Sequence, residues 1–136
     1  MYKIAKSIIF ITFLTLLCSC NKEKKNLNFN CKHTNCTVLG SDNLELKINS
    51  EIIFVEHLYT FKISSELPIK EVVIEGITMS MGKIPLMINN LNNAKHQYIG
   101  EFLLGMCSEP NMKWQFVITF ENDQKVLLPF HSYWPK

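Results

Sequence analysis

The sequence predicts an all-β domain, an immunoglobulin-like antiparallel β-sandwich of seven or eight strands. Three observations lead there. Short runs rich in Val, Ile, Phe and Tyr recur with turn residues between them. No stretch keeps a helical apolar period through three turns. In the longest run, Trp114, Phe116, Ile118 and Phe120 alternate with Gln115, Val117, Thr119 and Glu121, which gives a strand one apolar face.

Strands are expected over residues 44–48, 52–55, 58–64, 71–75, 84–88, 97–104, 113–121 and 125–130. Turns are expected where Gly, Pro, Asn, Asp and Ser cluster: Gly40-Ser41-Asp42-Asn43, Asn49-Ser50, Leu67-Pro68, residues 89–93 and Asn122-Asp123. Tyr98 alternates with Phe102 and Leu104 as Trp114 does with its neighbours. Strands of this number and length suit a sandwich, with a barrel as the competing architecture. The Cys-Trp-Cys spacing of antibody domains is missing, so the likeness is one of architecture.

Ahead of this domain, Met1 to Lys6 is short and basic through Lys3 and Lys6, residues 7–17 are almost wholly apolar, and a small residue, Ser19, precedes Cys20. That is the layout of a signal peptide. The apolar run is too short to cross a bilayer, which takes roughly 20 residues. Leu17-Cys18-Ser19-Cys20 resembles the bacterial lipobox, with an aliphatic residue three before the acceptor cysteine and a small one just before it. Taking Cys18 as acceptor would put Leu17 in the small-residue slot, so Cys20 is the better choice; the competing reading is an ordinary secretion signal cut near Ser19 that leaves Cys20 as a spare thiol. Residues 1–19 are therefore expected to be removed and Cys20 to be acylated, anchoring the protein to the membrane without embedding it. Asn21 stands where an Asp would signal inner-membrane retention, which favours the outer membrane, facing the periplasm. Residues 20–30 are polar and rich in Lys and Asn and read as a flexible tether. Residues 31–136 form the single domain, long enough to bury a core without many disulfides.

Of 14 basic residues, Lys3 and Lys6 leave with the signal peptide, so the mature chain balances 12 lysines against 12 acidic residues. Neutrality argues against nucleic acid as a partner. All basic residues are lysine, so no planar guanidinium is present to grip phosphate or carboxylate in two places. Enzyme signatures are absent: the chain has no Gly-x-Ser-x-Gly, no His-Glu-x-x-His, no phosphate-cradling glycine loop and no Cys-x-x-Cys. The chain is read as a non-enzyme. A catalytic Cys107 would need a neighbouring base, and His131 is the one candidate at its end of the domain.

With Cys20 acylated, Cys31, Cys36 and Cys107 remain. In an oxidising compartment Cys31 and Cys36 are expected to close a small loop, although three thiols allow three single bridges and either could pair with Cys107. Every choice leaves one cysteine over.

The unusual residues lie in two turn-like segments, Thr78 to Met87 and Gly105 to Trp114. Connections between successive antiparallel strands alternate between the two ends of a sandwich. One intervening turn separates the Met79–Lys83 and Gly105–Met112 connections, so both should emerge at one end, with His131 there too. Met79, Met81, Cys107, Met112 and His131 would then converge. Thioethers and a thiolate are soft ligands that select Cu(I). Met79 and Met81, two apart, would share a face on an extended backbone. The competing readings are methionine as core filler and Cys107 as a buried inert thiol. Lys83 is read as rim and Trp114 as core, while His57 and His96 are read as surface residues.

Val73 to Phe120, with Met-x-Met-Gly-x-x-Pro at Met79–Pro85 and Cys-x-x-Pro-x-Met-x-Trp at Cys107–Trp114, resembles the YtkA-like and FixH-like envelope proteins. The resemblance implies a small membrane-tethered β-sandwich associated with copper handling and the assembly of cytochrome oxidases. FixH-like proteins carry a transmembrane helix where this chain has a lipobox, and the His-rich and Met-rich pattern of periplasmic copper chaperones is not reproduced. The reading is a lipid-anchored envelope protein that carries or buffers Cu(I) through Met79, Met81 and Cys107, with Met112 as a fourth donor and His131 as a substitute. The alternative is a metal-free, non-catalytic envelope lipoprotein that contacts another protein.

Overall fold

The computed structural model describes residues 28–32, 35–39 and 43–135, the first two segments by their backbone pairing alone. The signal segment 1–19, Cys20 and most of the expected tether lie outside the described residues.

The described residues form eleven strands: β1 (Asn28–Lys32), β2 (Asn35–Leu39), β3 (Leu44–Ile48), β4 (Ile53–Phe54), β5 (Leu58–Ser64), β6 (Ile69–Gly76), β7 (Lys83–Leu86), β8 (Ile88–Asn92), β9 (Gln97–Leu103), β10 (Asn111–Phe120) and β11 (Lys125–Tyr133). They make two sheets, a six-stranded one ordered β1-β2-β3-β5-β9-β8 and a five-stranded one ordered β4-β11-β10-β6-β7. The expected all-β sandwich is observed. Its pairings are antiparallel apart from β4 with β11, where Ile53 and Phe54 run parallel to Ser132 and Tyr133.

Side-chain alternation explains the strands. On β11, Val126, Leu128, Phe130 and Ser132 are buried while Lys125, Leu127, Pro129 and His131 face out. On β10, Met112, Trp114, Phe116, Ile118 and Phe120 all turn to the core. An aromatic cluster joins the sheets. Phe61 of β5 and Phe102 of β9 meet Phe116 of β10 at 5.5 Å between ring centroids in each case. Phe102 meets Phe130 of β11 at 6.0 Å, and Phe116 meets Phe130 at 5.0 Å. Such ring pairs contribute about 0.5–1.5 kcal/mol each beyond the area they bury.

The cluster depends on one glycine. Gly100 stands opposite Phe61 across β5 and β9, and a Cβ there would lie 2.5 Å from Phe61 Cζ and 2.8 Å from the Met87 carbonyl oxygen. Buried polar atoms are partnered: Trp114 Nε1 donates to Ser132 Oγ at 2.8 Å, and the Tyr98 hydroxyl accepts the Ile69 amide at 3.1 Å. Among the described residues no buried side-chain nitrogen or oxygen lacks a partner.

The strand expected over 84–88 is two strands, β7 in one sheet and β8 in the other, which makes eleven with the unexpected β1 and β2. The chain changes sheets at Met87, which is 88% exposed. The cluster of asparagines at 89–93, expected as a turn, is mostly edge strand, and the reversal comes at the 3-10 turn Asn93–Lys95, closed by His96 at φ 43°. Asparagine marks turns by composition, but an edge strand with one free side tolerates it too. Strand β1 begins at Asn28, so regular structure takes in the last three residues, 28–30, of the stretch expected as tether.

Strands β1 and β2 place Cys31 directly opposite Cys36. Opposed residues of an antiparallel pair have Cα atoms about 4.5–5.5 Å apart, inside the roughly 4.4–6.8 Å that a disulfide spans. Peptide mapping without reduction is expected to recover Cys31 and Cys36 joined and Cys107 free to take an alkylating reagent. Recovery of Cys107 in a bridge would contradict this.

Candidate functional site

Two connections meet at one end of the sandwich. Strand β6 ends at Gly76 beside the start of β10, with Gly76 opposite Trp114. Residues 77–82 therefore leave β6 at the place where residues 104–110 arrive to start β10. The end shared by the two segments, expected from the alternation of connections, is observed. It survives the mistaken turn at 89–93 because β7 and β8 together run the length of the domain as one strand would. The chain therefore still reverses once between the two loops.

Three backbone and side-chain bonds pin the first loop to β10. The Ile77 amide donates to the Lys113 carbonyl at 2.8 Å and the Thr78 amide to the same carbonyl at 3.3 Å. The Lys113 amide returns a bond to Thr78 Oγ1 at 2.9 Å. Gly76 makes the bend possible, since a Cβ at this position would overlap the Met79 carbonyl oxygen. At the base of the loop Glu75 stands opposite Lys83, whose Nζ lies 3.1 Å from Glu75 Oε1. Gln115 Nε2 also donates to Glu75 Oε2 at 3.2 Å.

This geometry brings Cys107 Sγ to 3.2 Å from Met79 Sδ. Cys107 is half-buried against the core and Met79 is exposed, so the sulfur pair lies at the protein surface. Met106, beside Cys107, and Met81, two residues after Met79, are also exposed. The bend at 77–79 removes the extended backbone that was to put Met79 and Met81 on one face.

The other two expected donors are elsewhere. Met112 is 1% exposed and packs in the core as filler. His131 stands opposite Lys113 on the outer face of the sheet, whereas Met112 stands opposite Ser132 on the inner face, so the two side chains leave the sheet on opposite sides. His131 Nδ1 is 3.1 Å from Asn111 Oδ1 and its ring stacks with Tyr133. Of the expected set, Met79 and Cys107 are brought into contact. His57 Nδ1 is 2.9 Å from the Val55 carbonyl. No group of three or more His, Cys, Asp or Glu side chains is placed to hold a metal ion among the described residues.

Sequence reasoning passed over Met106, Gly76 and Thr78. Met106 had a signal, since it adjoins Cys107 in the same turn-like segment. The parts played by Gly76 and Thr78 depend on a contact between distant strands.

Exposed apolar side chains gather around the sulfur pair, among polar ones such as Glu109, Asn111 and Lys113. Nine of the twelve exposed large apolar side chains among the described residues lie at or beside this end, Leu58, Ile77, Met79, Met81, Met106 and Trp134 among them. Only Met87, Leu91 and Leu127 lie away from it.

No protein-family model matches the chain, and neither the curated proteins nor the solved structures contain a match.

Two outcomes test the site geometry. Gly76→Ala must push the Met79 carbonyl away, so Cys107 should react several-fold faster with a thiol reagent, while thermal unfolding, set by the core, moves by only a few degrees. The Glu75 carboxyl is held below the usual carboxylate range, first by its hydrogen bond with Lys83 and next by Gln115. A lowered folded value means that its contribution to stability is present above the unfolded Glu value of about 4.3 and is lost as pH falls through the folded value. In Lys83→Ala the Glu75 titration followed by NMR should move up, and the loss of stability on acidification should become shallower. The overall cost at neutral pH should stay under about 1 kcal/mol, because Lys83 is largely solvated.

Proposed function

We propose that this chain is a lipid-anchored protein of the bacterial cell envelope that binds Cu(I) at the loop end of its sandwich and carries or buffers it without chemical turnover. The observation that supports the reading most is the contact between Cys107 Sγ and Met79 Sδ at 3.2 Å. It joins two soft donors from loops 28 residues apart in sequence. A thiol and a thioether together favour Cu(I) over harder ions. Met81 and Met106 stand at the same end as further thioether donors, and the buried Met112 and outward His131 are set aside from the donor set. The segments whose sequence resembles copper-handling envelope domains, Met79–Pro85 and Cys107–Trp114, are the two that meet here. The anchoring part of the proposal rests on Cys20 and the segment before it, and it sets the expected location at the periplasmic face, with the outer membrane favoured.

A second reading is supported by the exposed apolar side chains around the sulfur pair. Solvent-exposed apolar groups gathered at one site mark a contact surface, and a metal-free envelope interaction module would have that property alone.

Anaerobic titration with Cu(I) against a chelator of known affinity separates the two. The full mature chain carrying Cys20→Ser should bind one ion. Cys107→Ser and Met79→Ala should each weaken binding tenfold or more, a change of about 1.4 kcal/mol or above. Met112→Leu and His131→Ala should leave affinity unchanged. Absence of competitive binding would end the copper reading and leave the interaction module.

A further inference from the structure

The domain has two unlike ends. The Met79–Cys107 end carries most of the exposed apolar side chains. The far end is polar: Lys70 Nζ pairs with Asp123 Oδ1 at 2.8 Å, Asn122 Nδ2 donates to Gln124 Oε1 at 3.0 Å, and Asn92 Oδ1 accepts the Ala94 amide.

Strand registers determine the end from which the N-terminal chain departs. Asn28 stands opposite Leu39, Val38 opposite Leu44, Glu45 opposite Ser64, and Ser64 opposite Gln97. Each of these is the polar-end residue of its strand or next to it, so β1 begins at the polar end. The residues between Cys20 and Asn28 reach at most about 25–30 Å when extended. Strand β10, with its 10 residues, separates the two ends by about 30 Å, so even a fully extended N-terminal segment does no more than span the domain.

We infer that the soft-donor end is held away from the bilayer and receives a protein partner from the aqueous side, one presenting its own thiol, thioether or imidazole donors within an apolar surface. This rests on the anchoring at Cys20 and the Cu(I) reading proposed above. Three further observations select a protein as the occupant. The chain that leads to the anchor ends at the opposite pole, which points the apolar end outward. Surface binding to anionic bilayers draws on clustered basic side chains, whereas here Lys83 is engaged by Glu75, and Lys113 shares the end with Glu56 and Glu109. A second copy anchored in the same bilayer would point its apolar end in the same direction and not toward the first. An apolar partner surface completes the burial of Ile77, Met106 and Trp134, and its soft donors would stand next to the sulfur pair, where a Cu(I) ion can change ligands without entering water.

Two measurements test the inference on the lipidated full chain. In the first, the protein is reconstituted in phosphatidylethanolamine and phosphatidylglycerol vesicles with a donor dye on p-azidophenylalanine in place of Ser108 or of Asn122, and with acceptor dye on the lipid headgroups. Energy transfer from position 108 should be several-fold weaker than from position 122. Equal or stronger transfer from 108 would place the apolar end at the bilayer and overturn the inference. In the second, a photoreactive residue replaces Met106 in intact cells and the adducts are identified by mass spectrometry. The expected adduct is a protein with its own Cys, Met or His copper ligands, lost when Trp134→Glu is added. Adducts only with lipid or with the same chain, or none, would overturn it. Protein that does not float with the vesicles overturns the Cys20 anchoring and this inference together. Neither measurement needs added copper, so a failed Cu(I) titration is told apart from a failed orientation.

Discussion

Four phenylalanines, two from each sheet, hold the sandwich together, and the other features of the molecule follow from how they are seated. Phe61 and Phe102 hang from neighbouring strands of one sheet, Phe116 and Phe130 from neighbouring strands of the other, with centroids 5.0–6.2 Å apart. A core of rings this large sets the distance between the sheets, and close packing then determines which neighbours fit. Gly100 is the clearest case, since the space a Cβ would take belongs to Phe61. The Met87 carbonyl lies against the same glycine, so the corner at which the chain moves from β7 to β8 is also seated on the ring cluster.

The loops at one end inherit their positions from this core. Strands β6 and β10 are long neighbours with Gly76 opposite Trp114, and Trp114 is fixed from inside by packing and by its bond to Ser132. The backbone bonds from Ile77 and Thr78 to Lys113 begin where that pairing stops, which carries the order of the sheet into the first turn of the loop. Met79 is then within reach of Cys107, itself packed against the core. The contact between two exposed or half-exposed sulfurs is thus supported by buried groups behind it, the arrangement that keeps a surface site in shape. The Glu75–Lys83 pair at the loop base adds little energy for a solvated ion pair, but it restricts where the second arm of the loop returns.

Burial and exposure are divided lengthwise as well as between inside and outside. One end collects thioethers, aliphatic groups and Trp134 beside the Glu75–Lys83 pair, while the other collects amides and the Lys70–Asp123 pair. A chain that needed only solubility would not place its exposed apolar groups together, because clustering them invites association. Their gathering around Cys107 and Met79 is why the copper and interaction readings share a location and are separated by affinity for the ion and not by position.

Much of this was legible from the residues. Short β-rich runs between turn residues, with period-two alternation in 97–104 and 113–121, were enough for the all-β class, and β3 and β5 have the boundaries expected of them, because half-buried strands need apolar groups on one face only. The common end of the two sulfur-bearing loops was legible too, since it depends on counting reversals. Composition misled where one residue type serves two purposes: the asparagines of β8 look like a turn, and Met112 has the same chemistry as Met79 although it faces the core. The sequence by itself determined the class of fold, the candidate lipid-bearing cysteine and the pairing of soft-donor segments at one end, because these follow from local periodicity and from order along the chain. Only the tertiary structure decided that Met79 and Cys107 touch, that Met112 and His131 leave the sheet on opposite sides, and that the N-terminal chain departs from the far pole. Each of these depends on the register between strands distant in sequence, which a single residue's displacement would reverse.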